Sequence, residues 1–136
     1  MPRLADLMAR DVLSVAPDDT LAEAAQVMAD HSVGSAVVHD HGRLVGIITE
    51  RDLLRAAASR VHPSEGRVRE WMTVDPVVAS EETSPAEAAG TMLEHGFRHL
   101  PVVERERTVG IVSLRDVMRW SLHVELGSEH VGSDFP

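Results

Sequence analysis

Displaced by 64 positions, the chain matches itself without a gap. Residues 4–55 lie over residues 68–119, and 16 of the 52 pairs are identical. They include Met8/Met72, Asp11/Asp75, Ala22-Glu23-Ala24-Ala25/Ala86-Glu87-Ala88-Ala89, Met28/Met92 and His31/His95. Further along come Arg43/Arg107, Val45-Gly46-Ile47/Val109-Gly110-Ile111, Arg51-Asp52/Arg115-Asp116 and Arg55/Arg119. A repeat at one fixed spacing means one supersecondary unit used twice. The expected division is a first unit over 4–58, a linker over 59–67 and a second unit over 68–124. The linker core, Ser59-Arg60-Val61-His62-Pro63-Ser64-Glu65-Gly66, is polar and holds both Pro and Gly. Residues 125–136 carry no period after Leu126 and are expected to form a flexible tail.

Each unit can be read locally. Thr20-Leu21-Ala22-Glu23 is a capping box, and Ser84-Pro85-Ala86-Glu87 repeats it with Pro at the first helical position. Behind the first cap, Leu21, Ala24, Ala25 and Met28 fall on one apolar helix face. Ala88, Ala89, Met92 and Leu93 do the same in the second unit. Ser35–His39 and Leu100–Val103 are short and Val-rich, as buried strands are. Polar turns separate them from second strands, Leu44–Thr49 and Thr108–Ser113. Helices are expected at Glu50–Ala58 and from Leu114 to about Val124. Short strands near Leu13–Val15 and Val77–Ala79 complete the ladder. The fold class is α+β, with β-α-β-β-α written twice.

Composition narrows the function. The formal charge of −9 repels phosphodiester backbones, so nucleic acid is not an expected partner. No apolar run approaches the roughly 20 residues that span a bilayer. Asp6 interrupts the place where a secretory signal would turn apolar. With no cysteine, disulfides and thiolate sites are excluded and a reducing compartment fits, so a cytoplasmic protein is expected. No nucleophile–base–acid set is visible. A P-loop is impossible because the chain has no lysine. The expectation is a protein that is not an enzyme and has no obligatory cofactor. The densest histidine cluster, His39-Asp40-His41, sits on a turn with no third ligand nearby, so no metal site is expected.

The chemistry gathers where the last strand of each unit meets its last helix. The first unit has Gly46-Ile47-Ile48-Thr49-Glu50-Arg51-Asp52, the second Gly110-Ile111-Val112-Ser113-Leu114-Arg115-Asp116. A hydroxyl followed three residues later by an acid makes a capping box and needs no ligand. The same geometry suits one. A helix start offers free N–H groups and a positive dipole end to a phosphate. An Arg there adds a planar donor fork, and a carboxylate can accept both hydroxyls of a ribose.

The duplicated unit resembles the CBS domain, named after cystathionine β-synthase, and the pair resembles a Bateman module. The resemblance covers about residues 4–120. It rests on Met72-Thr73-x-Asp75-Pro76-Val77, on His99-Leu100-Pro101-Val102-Val103, and on Gly-h-h-Thr/Ser-x-x-Asp twice, where h is aliphatic. It implies two units about a pseudo-twofold axis and two clefts for AMP, ADP, ATP or S-adenosylmethionine. In such clefts the Asp holds the ribose, the hydroxyl lies near ribose and phosphate, and aliphatic strand residues sandwich the adenine. Carried over by position, one cleft uses Ile47, Thr49, Arg51 and Asp52, with Thr73 and Val78 from the opposite unit. The other uses Ile111, Ser113, Arg115 and Asp116, with Ala9 and Ser14 opposite. Arg98 and His99 are further candidates for holding phosphate.

The two clefts differ. The opening Met-Thr of the second unit is Met8-Ala9 in the first, so the Asp116 cleft lacks a hydroxyl. On that count the Asp52 cleft is expected to fill first, unless Arg98 and His99 lean toward the other. The leading function is a regulatory sensor for an adenosine-containing ligand that signals to a separate effector protein, since the chain leaves no room for a further domain. The alternative is a structural dimerisation module with empty clefts. The Ala-rich faces of Leu21/Ala24/Ala25/Met28 and Ala88/Ala89/Met92 are expected to form a helical homodimer interface.

Overall fold

The computed structural model describes residues 2–126. A single 3-10 turn at Leu4–Asp6 opens the chain. Then come β1 (Ser14–Val15), α1 (Leu21–Asp30), β2 (Ser35–Asp40), β3 (Arg43–Thr49) and α2 (Glu50–Ala58). The second unit holds α3 (Val68–Trp71), β4 (Thr73–Val74), α4 (Pro85–His95), β5 (His99–Glu104), β6 (Arg107–Ser113) and α5 (Leu114–Leu126). Of the expected tail, residues 125 and 126 continue α5, and the remainder lies outside the described residues.

The long elements start where the side chains say they should. Thr20 Oγ1 accepts the Glu23 N–H at 3.0 Å, and Glu23 Oε1 accepts the Thr20 N–H at 2.9 Å. Ser84 and Glu87 do the same for α4, both at 3.1 Å. Each cap is worth roughly 1 kcal/mol. α4 ends on Gly96 at φ 76°, a left-handed position natural to glycine. A two-residue turn, His41 (φ 52°) and Gly42 (φ 81°), joins β2 to β3. Two positive φ values match the right-handed twist of the flanking strands.

The two units share one register. Ser35↔Thr49 and Val38↔Gly46 in β2–β3 become His99↔Ser113 and Val102↔Gly110 in β5–β6, with a bulge at the corresponding place in each hairpin. β1 runs parallel to β2, pairing Val15 with Val38; Ala79 bridges Val102 in the same sense. One pairing crosses between units. β4 of the second unit adds to β3 of the first, Thr73 opposite Ile47. Reciprocally, Ala9 bridges Ile111, exchanging two hydrogen bonds of 2.9 Å.

The crossing also exchanges core residues. Val68 is wholly buried with Val15, Leu21, Ala24, Met28, Val38 and Ile48, and Trp71 and Met72 pack against that cluster. Leu4 and Met8 are buried with Ala88, Met92, Leu100, Val102, Val112 and Val117. Each half of the molecule is therefore closed by the opening turn of the other repeat. Gly46 and Gly110 make room for it. A Cβ on Gly46 would stand 2.6 Å from Met72 Sδ and 2.8 Å from Thr73 O; on Gly110, 2.5 Å from Met8 Sδ. The expected ladder contained neither the two opening turns nor the crossed strand.

The helix faces expected at a dimer interface are used inside the chain instead. Leu21, Ala24, Met28, Ala88 and Met92 are all buried in these two cores. Their small residues let the helices lie close on the chain's own sheets, while Ala25 and Ala89 of the same faces stay half-buried.

Candidate functional site

The β3–α2 and β6–α5 junctions carry the two acids. Asp52 Oδ2 accepts the Thr49 N–H at 2.8 Å and the Thr49 hydroxyl at 3.1 Å. Its Oδ1 accepts Arg55 Nη1 at 3.2 Å. Arg55 lies 5.8 Å from the Trp71 ring centroid, as a cation over an aromatic face. The Asp52 side chain is only 7% exposed. Asp116 repeats half of this. Its Oδ2 accepts the Ser113 N–H at 2.8 Å, and its own N–H donates to Ser113 Oγ at 3.0 Å. Among the described residues nothing bonds to Asp116 Oδ1, and the residue is half-buried.

Two clefts stand over these junctions. The Asp52 cleft, about 390 Å³, brings together Ile47, Thr49, Arg51, Asp52, Arg55 and Thr73 with Pro76, Val77 and residues 95–99. The Asp116 cleft, about 1060 Å³, brings together Ala9, Leu13, Ile111, Ser113, Arg115 and Asp116 with Met28, Ala29 and residues 32–35. Each joins the strand–helix junction of one repeat to the opening segment of the other. The crossed pairings Thr73↔Ile47 and Ala9↔Ile111 bring those segments together.

Most positions carried over from the resemblance reach a cleft, but Val78 and Ser14 line neither. The preceding residues, Val77 and Leu13, do. Ser14 lies in β1, and successive residues of an extended segment face opposite ways, so a slip of one position selects the wrong face. Phe97, Pro76 and Glu50 also line clefts and were not anticipated. Phe97 sits 5.2 Å from the His95 ring and is the one Phe of the described residues, which was the available signal.

Arg98, His99 and Glu50 line both clefts. The Glu50 N–H donates to Gly34 O at 3.0 Å, and the Leu114 N–H donates to Arg98 O at 2.8 Å, one hydrogen bond per repeat. The side chains break the symmetry. Gly34 and Ser35 stand where the second repeat has Arg98 and His99, and Leu114 stands where the first has Glu50. The missing side chain at Gly34 leaves space that the Glu50 carboxylate fills, since a Cβ there would lie 3.1 Å from Oε1. Arg51 Nη1 donates to Gly96 O at 2.9 Å, tying α2 to the end of α4.

His39, from the densest histidine cluster, uses Nε2 on Thr108 Oγ1 at 3.1 Å and so links the two hairpins. His41 is exposed on the turn.

Burial lowers the His99 pKa below 6.5, opposed by the nearby carboxylates of Glu50 and Asp116 and assisted by Arg98 and Arg115. A histidine depressed in the folded state binds fewer protons than in the unfolded chain as pH falls through 6.5. Stability is therefore fully present above about 6.5 and is lost as pH drops toward the folded pKa. His39 is lowered too, by burial. Melting curves between pH 7.5 and 5 are expected to show a falling Tm, with a shallower fall in His99→Gln. An equal fall in both proteins would mean that His99 does not contribute.

Residues 4–59 and 68–123 each match the model of the CBS domain. The chain belongs to the CBS domain family. A 17.7 kDa protein of Acidianus ambivalens is 41% identical over 90% of this chain and 74% of its own length. The inosine-5'-monophosphate dehydrogenase of Methanocaldococcus jannaschii is 37% identical over 84% of this chain, which spans only 22% of that enzyme. The CBS domain pair of protein MJ0100, solved with 5'-methylthioadenosine and S-adenosyl-L-methionine, superposes with a TM-score of 0.83. It is 28% identical and covers 91% of this chain and 98% of that one. Among the described residues, no helix of this CBS pair is long and apolar enough to cross a membrane.

Proposed function

We propose that this CBS pair is a non-catalytic cytoplasmic sensor for an adenosine-containing ligand, whose occupancy is read by a separate effector protein. One observation carries the reading. At each crossed junction a helix-start acid and hydroxyl, an aliphatic strand residue and the opposite repeat's opening segment line one cleft. Ile47 and Val77, or Ile111 and Leu13, offer the walls of a slot for a purine. Thr49 and Asp52, or Ser113 and Asp116, offer partners for a ribose. Both volumes reach the range of small-molecule sites, about 300–1,000 Å³. The MJ0100 pair, with its two adenosyl ligands, supports the chemical class.

The same reading includes a homodimer, through different residues from those first expected. Leu54 on α2, Leu93 on α4, and Met118 and Leu122 on α5 are between 48% and 72% exposed. Large apolar side chains left outward on three helices suit a second copy.

Native mass spectrometry of protein purified without added ligand tests both parts. A dimer mass carrying an adenosyl adduct is the expected result. A melting scan with AMP, ATP and S-adenosylmethionine accompanies it. Ligand at 100 times its Kd adds about 2.7 kcal/mol, which a scan resolves easily. No adduct and no shift with any of the three would favour the empty-cleft dimerisation module.

A further inference from the structure

The two clefts are not independent containers. Both open onto Arg98 and His99, which the second repeat supplies once for the pair. The first repeat has Gly34 and Ser35 in their place, so it adds no cation there. Other arginines line one cleft each. In the Asp52 cleft they are already engaged: Arg51 on Gly96 O, Arg55 on Asp52 and over Trp71. A phosphate entering that cleft depends on Arg98 and His99. A phosphate in the Asp116 cleft meets the same two groups beside Arg115 and Arg119, which line that cleft alone. Glu50 faces both clefts as well and adds a negative charge beside the shared Arg98 cation.

We propose that Arg98, with His99 beside it as a hydrogen-bond donor, forms one cationic centre shared by the two clefts, so that phosphate-bearing ligands exclude each other while uncharged adenosyl ligands do not. The proposal rests on the reading that both clefts accept an adenosyl group. The first anion takes the Arg98 charge, and a second would meet a centre already neutralised, beside Glu50 and another phosphate. Like charges brought together in a partly dry space repel strongly. Coupling between sites commonly changes affinity by 5- to 150-fold. The protein would thus report phosphate-bearing ligand at a stoichiometry of one per chain.

The test compares AMP with adenosine, which has the same base and ribose and no charge. Both are titrated into the full chain by calorimetry, with native mass spectrometry for stoichiometry. Adenosine is expected to fill two clefts per chain. AMP is expected to fill one, with the second at least fivefold weaker relative to the first than for adenosine. Arg98→Met keeps the side-chain stem and removes the charge; it should weaken the first AMP at least fivefold and leave adenosine unchanged. If AMP fills both clefts with the same affinity ratio as adenosine, the shared centre is wrong and adenosyl binding stands. If neither compound binds, the adenosyl reading fails and the proposal fails with it. The stoichiometry measurement uses the unmodified protein, so it decides the matter even where Arg98→Met does not fold.

Discussion

Asp116→Ala is expected to reduce affinity for AMP at least tenfold, and Asp52→Ala to reduce it less. Counting hydroxyls favours the Asp52 cleft, because Thr73 faces it while Ala9 faces the other. One missing neutral hydrogen bond is worth only about 0.5–1.5 kcal/mol. The acids themselves point the other way. Asp116 Oδ1 is uncommitted among the described residues, and its cleft is the larger. Asp52 spends Oδ2 on Thr49 and Oδ1 on Arg55, and a ribose must displace the arginine. A ribose diol on an open carboxylate makes two charge-assisted bonds of roughly 1.5–3 kcal/mol each, and about 1.4 kcal/mol is tenfold in affinity. Arg98 and His99 do not break the tie, since both clefts share them. Both acids also cap a helix, so each variant should lose about 1 kcal/mol of stability whether or not a ligand is held. Calorimetry beside melting curves separates the effects. Lost stability with unchanged affinity in both variants would leave the acids as helix caps only. Loss of the tighter event in Asp52→Ala alone would restore the order that the hydroxyls suggested.

The repeat made much of the fold legible because its signals are local. A capping box needs four adjacent residues, and Thr20–Glu23 and Ser84–Glu87 close as written. Hairpin strands of Val and Ile around polar turns were found to within a residue or two of their ends. The crossing of the repeats was hidden for the opposite reason. α3 is four residues long, too short to show a helical period, and its partners are distant in sequence. The signal that did exist was Met8/Met72 and Gly46/Gly110, each repeated at the 64-residue offset. Glycine inside a strand marks a close backbone approach. On the α1 and α4 faces, Leu21, Ala24, Met28, Ala88 and Met92 are covered within the chain, because periodicity says that a face is buried, not against what. Of the cleft residues, those fixed by the junction were legible. Val77 against Val78, and the sharing of Arg98 and His99, depend on which way a segment turns at the pseudo-axis, and no local pattern encodes that.

Gly46→Ala is expected to destabilise the protein by about 1–3 kcal/mol, the usual range for overpacking a filled site. Glycine to alanine in a strand should otherwise stabilise, by roughly 0.5–1 kcal/mol of backbone entropy. Here the added methyl meets two atoms. Met72 Sδ, at 2.6 Å, belongs to a flexible side chain and can move. Thr73 O, at 2.8 Å, is backbone and is held by the β3–β4 pairing. Relief therefore requires the crossed strand to shift, which loosens Met72 and Trp71 from the core they close. At roughly 4 °C per kcal/mol for a chain of this size, Tm should fall by about 4–12 °C. Thr73 faces the Asp52 cleft, so ligand binding there should weaken while the Asp116 cleft is spared. Gly90→Ala is the control, since Gly90 is exposed within α4 and an added Cβ would meet nothing within 4 Å. It should raise stability by up to about 1 kcal/mol. Denaturant unfolding of the two variants should thus give opposite signs for one chemical change. A Gly46→Ala protein as stable as the parent would mean that the crossed strand does not depend on the close approach at Gly46.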